Sequence, residues 1–63
     1  MDYPKLLKAY REKVLITQEE FAQKLGVSYV TLNRWENGKF EPTMKMKRKL
    51  NKLFIKESLI KEE

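Results

Sequence analysis

Cysteine and histidine are both absent from this 63-residue chain. Without thiols there are no disulfides and no thiolate zinc sites, and without imidazole the usual metal ligand and neutral-pH proton shuttle are missing. Long apolar runs are missing as well. None exceeds three residues, as in Val14-Leu15-Ile16, whereas a membrane span needs about 18 or more. Nor is there the basic start, apolar middle and small-residue cleavage site of a secretory signal, so the cytoplasm is the expected compartment. What is left is room for one small domain. A chain this short buries only about 60% of its unfolded surface, and its stability has to come from packing helices on one another.

Charge is present in excess of one sign. Fourteen Lys and Arg stand against nine Asp and Glu, a formal net charge of +5, which favours a polyanionic partner without naming it. Between Lys45 and Lys56 there are six basic residues (Lys45, Lys47, Arg48, Lys49, Lys52 and Lys56) and no acid. Such a block is either a solvated helix face or a surface for phosphates.

Helix signals follow one another along the chain. Asp2 ahead of Tyr3-Pro4 reads as an N-cap with proline in the first turn. Tyr3, Leu6, Leu7, Tyr10 and Val14 then recur at helical spacing, which predicts an amphipathic helix ending near Lys13. Thr17-Gln18-Glu19-Glu20 has the Thr-x-x-Glu form of a capping box, and Gly26 can close the short helix that starts at Gln18. Ser28 caps a third helix through Glu36, stopped by Asn37-Gly38. Lys39 to Pro42 reads as a loop and Thr43 caps a fourth helix. On that helix Met46, Leu50, Leu53 and Phe54 share one side and the basic residues another. Leu59 and Ile60 fall off the apolar side. The sequence therefore predicts an end or bend near Ser58, with residues 1–58 as the domain and 59–63 as a frayed tail.

Two short helices joined by a glycine-containing turn are the outline of a helix-turn-helix. Counting from Gln18, Ala22 is at the fifth position and Gly26 at the ninth, with apolar Phe21, Leu25, Val27, Leu32 and Trp35 at the buried positions. With the Arg-Trp-Glu-Asn-Gly-Lys run at 34–39 and Pro42, this segment resembles the Cro and phage-repressor family, also called the xenobiotic-response-element family, from about Leu6 to Phe54. The resemblance implies an all-α, lambda-repressor-like bundle of four to five helices. Physical reasons support the pattern. Ala22 leaves room where two helices cross closely, and Gly26 permits the turn.

On the third helix Thr31, Leu32 and Trp35 cluster on one side of the wheel, leaving Tyr29, Val30, Asn33, Arg34 and Asn37 outward. Tyr and Val beside Arg and Asn can meet both base edges and thymine methyls. Tyr29, Val30, Asn33 and Arg34 are accordingly the expected base contacts, with Arg34 donating to guanine O6 and N7 or else clamping a phosphate. The resemblance implies phosphate contact at Gln18, and Thr17, Thr31, Asn37 and Lys39 are placed with it. Capping and turn formation alone would explain Thr17 and Asn37. It also implies a structural pair of Arg11 with Glu36.

The expectation is a sequence-specific DNA-binding transcriptional regulator, a repressor or switch of bacterial or phage type associated with the nucleoid. Its implied partner is double-stranded DNA with a twofold-symmetric operator, bound as a homodimer. Where relatives open a fifth helix, this chain runs on as Leu50-Asn51-Lys52-Leu53-Phe54-Ile55, so one long fourth helix is the simpler reading and the dimer contact is left open. Phe40, Ile55, Leu59 and Ile60 are its apolar candidates. No cofactor, metal or small-molecule site is expected, and no enzymatic constellation of acids and bases is visible. The alternative is a protein-interaction module, such as an antitoxin or adaptor, that keeps the fold while its outward face binds protein.

Overall fold

The computed structural model describes residues 1–61. Four helices follow in order: α1 (Tyr3–Val14), α2 (Gln18–Leu25), α3 (Tyr29–Glu36) and α4 (Met44–Lys56). Each starts on the residue type that can satisfy its first free N–H groups. Asp2, Thr17, Ser28 and Thr43 accept from the backbone N–H three residues on, as N-caps do. At α2 the box is complete: the Thr17 hydroxyl accepts from Glu20 N–H at 3.1 Å and the Thr17 N–H donates to Glu20 Oε1 at 2.8 Å. The Thr17 backbone N–H, and after it the Thr17 side chain, hold the Glu20 carboxyl below its ordinary value by favouring the charged form.

The four ends share a second device. In each, the residue after the last turn enters the left-handed region and the next N–H reaches back five residues to a free carbonyl. The bonds are Ile16 to Arg11 at 3.1 Å, Val27 to Ala22 at 3.0 Å, Lys39 to Arg34 at 2.9 Å and Leu59 to Phe54 at 2.8 Å. The residues in left-handed conformation are Leu15, Gly26, Gly38 and Ser58, with φ of 58°, 73°, 72° and 60°. This Schellman closure is usual with glycine. Leucine and serine adopt it here against the steric preference of L-residues.

The core forms where these helices cross. Tyr3, Leu7, Tyr10, Phe21, Ala22, Leu25, Leu32, Trp35, Leu50 and Phe54 are all buried. α3 packs most extensively against α2 and α1, so it is backed on both sides, and small Ala22 stands among the buried residues of α2. Aromatic rings carry α4. Phe54 lies 6.2 Å from Tyr10 and 6.3 Å from Tyr3 between centroids, and Tyr10 stacks on Phe21 at 4.8 Å, within the range where ring pairs attract. Their polar ends are satisfied: Tyr3 donates to Asn51 Oδ1 at 3.1 Å and Lys24 Nζ donates to the Tyr10 hydroxyl at 2.8 Å. Among the described residues no buried side-chain polar atom lacks a partner.

The chain turns at Ser58, and Leu59 and Ile60 beyond it are half-buried and pack against the core. The left-handed residue redirects the backbone, so a wheel drawn straight along α4 misplaces them. The Lys13 ammonium also donates to the Glu57 carbonyl, tying the end of α1 to the end of α4. Of the expected tail, residues 62–63 lie outside the described residues.

Candidate nucleic-acid interface

α3 has two faces of opposite character. Leu32 is fully buried and Trp35 is 7% exposed, while Tyr29 and Val30 are 49% and 53% exposed and Arg34 is exposed beside them. The wheel predicted this division. Apolar side chains half open to water on the outer side of a helix whose inner side is fully packed make a surface of mixed chemistry, and the core has no use for it.

The scaffold holds α3 at its far end through a charged clasp. Arg11 Nε donates to Glu36 Oε2 at 2.8 Å, and its terminal nitrogen donates to Oε1 at 2.6 Å. The carboxylate side is 2% exposed and the guanidinium side 24%, a bidentate geometry that fixes angle as well as distance. The bond to Glu36 raises the Arg11 pKa beyond its already high ordinary value, burial opposing it. The arginine side of the clasp is therefore charged at neutral pH.

Other expected residues are less free. Asn33 is half-buried, and its Oδ1 accepts a long bond of 3.4 Å from Gln18 Nε2, so these two are joined to each other across the helix-turn-helix. Thr17 is occupied by its capping box, as described. Thr31 is half-buried, with its hydroxyl accepting from Ser28 Oγ at 2.9 Å. Asn37 is the C-cap of α3 and exposed, and Lys39 is exposed just beyond it. Glu19 and Glu20 sit in the first turn of α2, so the positive end of that helix is partly matched by the chain's own carboxylates.

Phe40 is the residue whose place near α3 the sequence did not disclose. It was legible only as an apolar candidate for a dimer contact, yet the Arg34 guanidinium carbon lies 5.5 Å from its ring centroid. The signal was there in outline. A glycine-closed helix end at Gly38 reverses the chain, which brings a residue six positions on beside Arg34. Of the other three dimer candidates, Leu59 and Ile60 are partly covered by the core and Ile55 is half-buried, which leaves Phe40, 60% exposed, as the open one.

A second surface lies along α4. Lys45, Arg48, Lys49 and Lys52 border an open groove of about 560 Å³ against Leu25, and no carboxylate pairs with these four among the described residues. Lys47 differs, bonding Glu41 at 3.2 Å and lying 5.3 Å from the Tyr3 ring. No group of His, Cys, Asp and Glu able to hold a metal occurs among the described residues, and no helix there is long and apolar enough to cross a membrane.

Two closely crossed helices with alanine and glycine at the junction, and an outward face backed by Leu32 and Trp35, are the build of one family. Residues 7–57 match it, under the description helix-turn-helix. The chain belongs to the Cro/C1-type helix-turn-helix family. It is 46% identical over 48 residues to an uncharacterized HTH-type transcriptional regulator of Methanocaldococcus jannaschii, a match covering 76% of this chain and 73% of the relative. Two uncharacterized HTH-type transcriptional regulators of Archaeoglobus fulgidus are 38% and 35% identical over 48 residues, 76% of this chain in both cases and 68% and 69% of theirs. No solved structure matches the chain.

Proposed function

We propose that this helix-turn-helix chain is a DNA-binding transcriptional regulator that reads the major groove with α3. The observation carrying the reading is the exposure of Tyr29, Val30 and Arg34 on a helix anchored from behind by Leu32 and Trp35. Arg34 donates to guanine O6 and N7, and Val30 and Tyr29 provide apolar contact for a thymine methyl. Asn33, tied to Gln18, adjusts the register of α2 on α3 and adds a base contact from its amide. Gln18, Thr17, Thr31, Asn37 and Lys39 line the phosphates on either side. The names of the three archaeal relatives support the regulatory role.

One such domain covers only a few base pairs. Two copies on a twofold-symmetric operator, with half-sites about 34 Å apart, give a useful site, and a bound operator that excludes polymerase makes the protein a repressor. Its place is the cytoplasm, on the nucleoid. The alternative of an antitoxin or adaptor finds no particular support here, since nothing on the outward face suits a protein partner better than a groove.

Selection from randomised duplex DNA at fixed salt tests the reading. Wild type is expected to enrich one site, with Lys39→Ala weakening all sequences alike and lowering the salt dependence. Recovery of unrelated sequences with binding that disappears in salt would contradict it.

A further inference from the structure

Phe40 is a large ring left 60% exposed on the loop after α3, and the Arg34 guanidinium carbon lies 5.5 Å from its ring centroid. We propose that Phe40 is a positioning residue for readout: its ring is a platform that steadies the Arg34 guanidinium by cation–π contact and leaves its N–H donors free for one base pair. The proposal rests on α3 being the reader and adds to it a residue outside the recognition helix that sets how sharply one position is read.

The pairing is built by the backbone. Gly38 takes φ of 72°, and the Lys39 N–H closes on the Arg34 carbonyl at 2.9 Å. The chain is thereby folded back so that residue 40 meets the side chain of residue 34. A Cβ at Gly38 would meet Pro4 only at 3.7 Å, so what glycine supplies here is the conformation. Phe40, Arg34, Thr31 and Trp35 then border a shallow cleft of about 280 Å³.

The chemistry of the cleft keeps Arg34 available. Glu41 is the one acid bordering it, and Glu41 is drawn to Lys47 at 3.2 Å. No carboxylate among the described residues pairs with Arg34. A planar guanidinium can stack by its face and donate by its edge at the same time. An arginine free in water surrenders most of its rotamer freedom when it docks on a base, and stacking beforehand removes part of that freedom in the unbound protein. The platform should therefore sharpen discrimination at Arg34's base pair and leave general phosphate affinity alone.

Binding of wild type, Phe40→Leu, Phe40→Trp and Arg34→Ala to the selected duplex and its single-base variants, at fixed salt, tests this. Arg34→Ala identifies the position concerned. Phe40→Leu keeps apolar bulk but has no π face, and is expected to lower discrimination at that position by about two- to fivefold, with other positions and the salt slope unchanged and Phe40→Trp restoring it. A Phe40→Leu protein that discriminates like wild type, or that loses affinity uniformly, overturns the proposal, the uniform loss pointing instead to a contact between copies. Proton NMR of the free proteins supplies a readout without DNA: the Arg34 δ protons are expected to be shifted by the ring current in wild type and to return in Phe40→Leu, and their absence of shift in wild type overturns the platform. If wild type has no base preference at all, the reading of α3 falls and the proposal with it, whereas a wild-type preference untouched by Phe40→Leu refutes the platform alone.

Discussion

Glu36 carries its charge at 2% exposure, and its cation is Arg11. Removing the arginine leaves a carboxylate buried without a partner, which costs about 3 to 5 kcal/mol where both members are fully enclosed. Arg11 keeps 24% of its side chain in water, so Arg11→Ala is expected to cost less, about 2 to 3 kcal/mol in urea unfolding. Adding Glu36→Gln should recover part of the loss; a double variant less stable than the single one would argue against the buried-charge cause. Leu15 makes the opposite prediction. It is 87% exposed with φ of 58°, so it strains the backbone and packs almost nothing. Leu15→Gly should stabilise the fold by about 0.5 to 1 kcal/mol, and Gly26→Ala, where nothing lies within 4 Å of the added Cβ, should lose a similar amount from conformation alone. Equal thermal stability of Leu15→Gly and wild type would refute this. Gly26 was legible in the sequence because glycine announces a left-handed residue. Leu15 and Ser58 were not, because nothing local marks a leucine or serine as left-handed, and it is the following residues, Ile16 and Leu59, that pack against the core.

At the scale of elements, starts were easier to read than ends. Asp2, Thr17, Ser28 and Thr43 advertise hydrogen-bond acceptors in front of apolar periodicity, and all four cap a helix in the structure. The end of α4 was harder, since its closure at Ser58 returns Leu59 and Ile60 to the core. The capping box of α2 also makes a pH prediction. The folded-state pKa of Glu20 is lowered, so its contribution is present above the ordinary carboxylate range and is lost as the pH falls through the folded value. Glu20→Gln keeps an acceptor at that position without the charge. The melting-temperature gap between wild type and Glu20→Gln should narrow from about pH 6 to about pH 3, and a gap that stays constant would contradict the charged cap. The effect is small because the carboxylate is fully exposed.

For the whole molecule, the sequence disclosed which helix faces outward and left open what stands next to it. Periodicity separates Leu32 and Trp35 from Tyr29, Val30 and Arg34 because burial repeats every turn. It says nothing of contacts between elements, and so neither the bond between Gln18 and Asn33 nor the ring of Phe40 beside Arg34 could be read from spacing. The family motif supplied the pairing of Arg11 with Glu36, and in the structure the two side chains lie 2.6 Å apart. A rigid scaffold, clasped at Glu36 and backed by an aromatic core, presents one helix, and the account stands on what that helix touches. The most direct measurement is the affinity of Arg34→Ala for the selected duplex set against each of its single-base variants. A loss of about 1 to 3 kcal/mol of discrimination at one base pair, with the rest of the site read as before, is the predicted result. An equal loss on every sequence would contradict readout by α3.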